Sequence, residues 1–211
     1  MQTQSLITLA QWLSPSFPVG AFSYSHGLEM AVHDGTIHDA ASLQAWLGDI
    51  IAHGAGRTDA ILLNAGFQGE GLADVDALAR ALAPSSERLS ETTQQGAAFV
   101  RVVNDVWGHG LPDLTLPVAF GAACAAQGLP VKDAAQMFLH AFVSALVSAA
   151  IRAVPLGQTD GQRVITALAP LCQKTVETAL TQTTDDIGSA CFLADIASMR
   201  HETLYSRMFQ T

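Results

Sequence analysis

The 211 residues are 49% apolar and only 14% charged, with nineteen acids against ten bases for a formal net charge of −9. Ten scattered Lys and Arg residues argue against a nucleic-acid backbone or an anionic membrane surface as the partner, because both demand clustered cations. The length suits one well-buried core or at most two small ones, and a surface poor in charge is the kind that meets other proteins.

From the N-terminus, MQTQSLITLAQWL has no basic n-region and no small-residue cleavage site, so no secretory leader is expected. Leu6, Leu9 and Leu13 predict a short first helix. Ser14 to Phe22, SPSFPVGAF, cannot be helical through two prolines, and its rings predict a loop tucked onto the core. A helix is expected to start near Ser25, with the Ser23 and Ser25 hydroxyls as caps. Leu43, Trp46, Leu47, Ile50 and Ile51 form one helical stripe, with Asp39 as the N-cap and Gly54 as the stop. After Pro84, Ser85 to Trp107 predicts a longer helix with Leu89, Phe99, Val103 and Val106 apolar. Its polar middle, Glu91 to Gln95, is expected to be solvated or bent.

Met137 to Ile151 is the longest apolar stretch. It falls short of the roughly 20 residues a bilayer needs and predicts a helix buried on all sides. Val164, Leu168, Leu171, Cys172 and Val176 make another stripe, opened by Thr159 or Asp160. Asp185 and Asp186, before Ile187, read as an N-cap and a first-turn acid. The tail, Arg200 to Thr211, carries Leu204, Tyr205, Met208 and Phe209 where termini are usually polar. Such anchors dock either on the chain's own core or on a partner, and the sequence does not choose between them. Nothing alternates with period two, and Gly- and Pro-rich breakers recur without a linker. The expected architecture is all-α, a single helical domain of about eight to ten helices over residues 1–211, with 200–211 a docking tail.

Catalytic templates are missing. No phosphate-binding glycine loop, G-x-S-x-G or H-E-x-x-H occurs. The seven histidines never fall at i, i+3 or i, i+4; His26 and His33, seven apart, are too distant to chelate one ion within a helix, though a dimer interface could pair one histidine from each copy. His140, inside the most apolar stretch, needs a hydrogen-bond partner if buried. Cys124, Cys172 and Cys191 are far apart and odd in number, so they read as buried thiols of a reducing compartment, and the expected location is cytoplasmic. No cofactor and no metal site is expected.

Three segments carry a family resemblance: WLSPSFPVGAFSYSHGLE (Trp12 to Glu29), VPLGQTDGQ (Val154 to Gln162) and SMRHETLYSRMF (Ser198 to Phe209). In order, spacing and total length they resemble the UreF family of urease accessory proteins. The resemblance implies an all-α, usually dimeric protein without catalysis of its own. Such a protein bridges UreD (also called UreH) and the GTPase UreG, so that nickel reaches apo-urease. It implies that Tyr205, Arg207 and Phe209 anchor UreD, that His201 and Glu202 hold the tail to the body, and that Pro18, Gly20 and Phe22, with Tyr24 in the same motif, belong to a partner-facing surface. Two other readings stay open: a stand-alone nickel-binding chaperone, and an all-α enzyme with an unrecognised pocket.

Overall fold

Side-chain caps fix the starts of two long helices in the computed structural model, which describes residues 3–210; Thr211, the last residue of the expected tail, lies outside them. The described residues form α1 (Thr3–Trp12), α2 (Leu28–His33), α3 (Ala40–His53), α4 (Ala55–Gln68), α5 (Leu72–Ala81), α6 (Ser86–Trp107), α7 (Leu116–Ala126), α8 (Val131–Ala153), α9 (Gln158–Ala179) and α10 (Phe192–His201). Short 3-10 turns cover Ala21–Ser23 and Thr184–Asp186, and no strand occurs among the described residues. The fold is all-α, as the periodicity predicts.

At α3 the expected cap is a full capping box. Asp39 Oδ1 accepts from the Ser42 amide at 2.8 Å, and Ser42 Oγ accepts from the Asp39 amide at 3.0 Å. Gly54 ends α3 and opens α4. Ser85 Oγ accepts from the Arg88 amide at 3.1 Å to start α6. The N-terminus of α7 is capped from another helix: the buried Asp76 of α5 accepts from the Thr115 amide at 2.6 Å and from Arg80 Nε at 2.6 Å.

Four expectations change. Asp185 and Asp186 do not open an α-helix. Thr183 is the cap, its amide donating to Asp186 Oδ2 at 2.8 Å, and the turn stops there because Arg57 holds the Asp186 and Gly188 carbonyls. α9 opens at Gln158 with Gly157 as its N-cap, ahead of the expected Thr159 or Asp160, and Gly161 lies inside it where a Cβ would meet Ile151 Cδ1 at 2.5 Å. In α6, Leu89 and Val106 are exposed, because the buried stripe runs at four-residue steps through Glu91, Gln95, Phe99 and Val103. Its polar middle is therefore inside the protein, and the helix runs through it unbroken.

The fourth concerns α8. It is long and apolar enough to span a bilayer by length and composition, yet half of its most apolar window is buried in the fold. His140 and Ser148 are exposed on its outer face, so it is not buried on all sides. The helix that is sequestered all round is α7, where every residue from Pro117 to Cys124 is buried. α7 lies at the centre, packed on α4, α5, α6 and α8, and Trp12, Phe99, Phe120 and Phe138 stack edgewise or tilted around it at centroid distances of 5.1–6.0 Å.

At the α4–α7 crossing backbone meets backbone. A Cβ on Gly121 would stand 2.0 Å from the Leu63 carbonyl oxygen, and one on Gly66 would stand 2.5 Å from that of Val118. Neither helix backbone can retreat without opening the core. Gly121→Val is expected to lower unfolding free energy by about 3 kcal/mol or more in chemical denaturation. Gly48→Ala in α3, whose new methyl meets only Leu171 at 3.9 Å, is expected to raise it by roughly 0.5–1 kcal/mol through helix propensity.

Candidate interaction surface

The first two turns of α6 collect both ends of the chain. Ser85 Oγ meets Ser198 Oγ of α10 at 2.7 Å, and the Ser86 amide donates to Glu202 at 2.9 Å. Glu87 takes His201 Nδ1 at 2.7 Å and Arg207 at 2.6 Å. One turn later Arg88 and Glu91 enclose His26, and Gln94 accepts from the Tyr24 hydroxyl at 3.1 Å. The segments Trp12–Glu29 and Ser198–Phe209, far apart in sequence, thus converge on one helix.

The tail lies against the body. Glu29 of α2 accepts from His201 Nε2 at 3.1 Å and from the amides of Met208 and Phe209 at 2.7 and 3.0 Å. Arg200 pairs with Asp34. Phe209 is buried, with the Arg152 guanidinium 4.5 Å from its ring centroid. Arg152 also donates to the Phe22 carbonyl at 2.8 Å, and the Gln210 amide donates to that of Ser23 at 2.8 Å. Arg152 lies two residues before Val154–Gln162, so all three resemblance-bearing segments border this region.

Among the residues singled out from sequence, His201, Glu202, Arg207 and Phe209 are engaged within the chain, while Tyr205 projects fully into solvent. Phe22 is 70% exposed and Pro18 is exposed, whereas the Tyr24 ring is buried. Gly20 has φ of +75° with open space where a Cβ would be, so the turn requires its left-handed backbone and not its small size. His140 is exposed and so has no buried nitrogen to satisfy. The three cysteines are buried and free, and burial pushes the Cys172 thiol up to about 11.

Three features escaped the sequence reading. The first is an apolar stripe on α10: Phe192, Leu193, Ile196 and Met199 are 68%, 70%, 49% and 49% exposed. Met208 on the tail is also exposed, at 60%. Spacings of one, four and seven residues signal a helix face, but periodicity cannot say whether that face turns inward or outward. A second uncovered region is a groove of about 850 Å³ between α1, the Pro15–Phe22 loop and the outer face of α8, lined by Leu13, Phe17, Phe22, Met137 and Ala141. Leu6 and Ile7 are exposed on α1 beside it.

The third missed feature is the buried polar cluster. His26 Nε2 lies 2.8 Å from both Arg88 Nη1 and Glu91 Oε1, and can serve only one of them in a given tautomer. Burial, aided by Arg88, holds the imidazole below its ordinary range. Burial alone would raise Glu91, but the Arg88 charge and the His26 hydrogen bond outweigh it and bring the carboxyl down to about 2. Asp59 of α4 lies at the same place without such help, and burial pushes it up to about 6 despite Arg88. Among the described residues no group of three or more His, Cys, Asp or Glu side chains is arranged to hold a metal ion.

Comparison with known proteins gives a consistent result. The UreF family model matches residues 37–169. The chain is 49% identical to the urease accessory protein UreF of Roseobacter denitrificans, over 100% of this chain and 96% of that protein. It is 53% identical to the UreF of Cereibacter sphaeroides strain KD131, over 98% and 99%. The UreF of Ruegeria pomeroyi is 47% identical, over 99% and 97%.

The cluster makes two stability predictions. Arg88→Met strands the Glu91 carboxylate, and should cost about 3–5 kcal/mol in denaturant titrations at neutral pH. For Asp59 the folded-state value is raised, so the folded chain holds the proton more tightly than the unfolded one. Its ionisation therefore costs stability as pH rises from about 4 to 6, and the cost is constant above. Asp59→Asn should stabilise by about 1–3 kcal/mol at pH 7–8, and the gain should vanish near pH 4 when melting is followed against pH.

Proposed function

The chain belongs to the UreF family of urease accessory proteins, and from that membership we propose that it is a cytoplasmic, non-catalytic scaffold for nickel insertion into apo-urease. It binds UreD (UreH) on one side and the GTPase UreG on another, so that nucleotide-linked changes in UreG release nickel toward the enzyme. The scaffold contributes preorganisation, not bond chemistry.

The observation that carries this reading is the α10 stripe. Four large apolar side chains stand out on a helix of only ten residues, flanked by Tyr205 and Met208 on a tail that the body holds in place. A monomer gains nothing by exposing them, and a rigidly held aromatic and aliphatic patch is what a protein hot spot requires. UreD is the proposed occupant. Tyr205 is an anchor that reaches it directly. Pro18, Gly20 and Phe22 border the same region, because Phe22 and Ser23 are tied to Arg152 and Gln210. Phe209, Tyr24, His201, Glu202 and Arg207 contribute by fixing that surface.

Homodimerisation is assigned to the groove. Leu6 and Ile7 on α1 and the Met137–Ala141 face of α8 offer a second apolar surface, which meets the UreD-facing region at Phe22, and a two-fold pair would cover both copies of it at once. The buried unpaired thiols accord with a reducing compartment.

Co-purification with UreD tests the first assignment. Leu193→Glu combined with Ile196→Glu should weaken association at least ~100-fold, about 2.7 kcal/mol, with the helical circular dichroism unchanged. Full binding by that variant would refute the assignment. For the groove, Leu6→Glu with Ile7→Glu should convert a dimer into a monomer in light scattering while UreD still binds; a dimer that persists moves the interface elsewhere.

A further inference from the structure

Arg152 lies where the groove meets the tail. It is the last residue but one of α8, one turn beyond Ser148, which lines the groove, and its Nε donates to the Ser148 carbonyl at 3.3 Å. Nη2 donates to the Phe22 carbonyl at 2.8 Å, while the guanidinium carbon stands 4.5 Å from the Phe209 ring centroid. One cation thus holds the loop by an N–H and the tail by its ring. Arginine suits this double duty, because its donors lie in the guanidinium plane and leave the faces free for an aromatic ring.

The loop has few other ties at this point. The turn Ala21–Ser23 bonds to itself through the Ser23 amide on the Gly20 carbonyl and the Tyr24 amide on that of Ala21. Among the described residues, its backbone receives two bonds from other elements, Arg152 at Phe22 and the Gln210 amide at Ser23. Both depend on where the tail lies. Tyr24, by contrast, is anchored separately by burial and by Gln94. The Phe22 ring, 70% exposed, forms part of the groove wall. On the other side Phe209 is buried and Glu29 accepts from its amide. The tail therefore sets Arg152, and Arg152 sets the backbone that carries Phe22.

We propose that Arg152 is a positioning residue that couples the tail to the groove: seating residues 207–210 draws the guanidinium onto Phe209, which fixes the Phe22 carbonyl and with it the groove wall. Such coupling is reciprocal. With UreD on the tail side and a second copy in the groove, each partner strengthens the binding of the other. That consequence rests on the two assignments made above; the coupling inside one chain does not.

The test has two arms. In the free, dilute chain, 15N order parameters are measured at the amides of Phe22 and Ser23 in the loop and Phe209 and Gln210 in the tail. Arg152 is exposed, so Arg152→Gln should leave α7 unchanged while the order parameters of both segments fall from about 0.85 toward about 0.6. Phe209→Leu keeps an apolar side chain in the buried place and removes the ring. It should loosen Phe22 and Ser23, and in the Arg152→Gln background it should loosen them no further. The proposal is overturned if Arg152→Gln affects one segment alone, if Phe209→Leu leaves the loop ordered, or if the two effects on the loop simply add. In the second arm, self-association is followed by light scattering with and without UreD. UreD should tighten it at least ~fivefold in the wild type and leave Arg152→Gln unaffected. Dimerisation and UreD binding that ignore each other overturn the link between the surfaces. A chain that never dimerises or never binds UreD refutes the assignments instead, and the order parameters still decide the coupling.

Discussion

Two glutamates one helical turn apart on α6, Glu87 and Glu91, carry the electrostatics of this molecule. Each is largely withdrawn from water, and each therefore needs cationic or N–H donors at close range. Glu87 finds them in the last eleven residues and Glu91 finds them in Arg88 and the His26 turn. A helix from the middle of the chain thereby fixes the N-terminal loop and the C-terminal tail in one place. The chain has few cations to spend, ten against nineteen acids. Asp59, beside an Arg88 already bound to Glu91, is left to the effects of burial.

The hydrophobic core imposes a different constraint. α7 is enclosed on every side, and its contact with α4 is limited by backbone meeting backbone at Gly66 and Gly121. That closeness turns the outer faces of α8 and α10 away from the centre. Apart from single residues such as Leu82, Leu89 and Val106, the large apolar side chains left uncovered gather in one stripe along α10 and one groove beside α1. Both suit the assembly role proposed for this UreF-family chain, because each is rigid before a partner arrives and little ordering entropy remains to be lost on binding.

The tail is held by hydrogen bonds and charge more than by apolar packing. The tail adds little apolar burial beyond Phe209, and most of its fixed positions rest on Glu29 and Glu87. The core helices rest on apolar burial instead. A loosened tail is thus compatible with an intact bundle, as expected of a segment drawn from the low-stability end of a fold.

The sequence by itself determined the all-helical class, several helix ends and, among the described residues, the absence of strands. Periodicity, the Asp39 and Ser85 caps and the Gly54 stop act between residues at most a few positions apart, and such interactions are legible locally. It also marked Ser14–Phe22 and Arg200–Phe209 as segments outside the amphipathic scheme. Only the tertiary structure decided that Glu91 and Gln95 are interior, that α7 and not α8 is the enclosed helix, that Asp185 and Asp186 open no α-helix, and that the α10 stripe faces out. Those outcomes depend on partners such as His26 with Arg88, Glu29 with Phe209 and Asp76 with Thr115, which lie from 39 to 180 residues apart. A polar residue reads the same in sequence whether water or a distant side chain satisfies it; only the arrangement in space distinguishes the two.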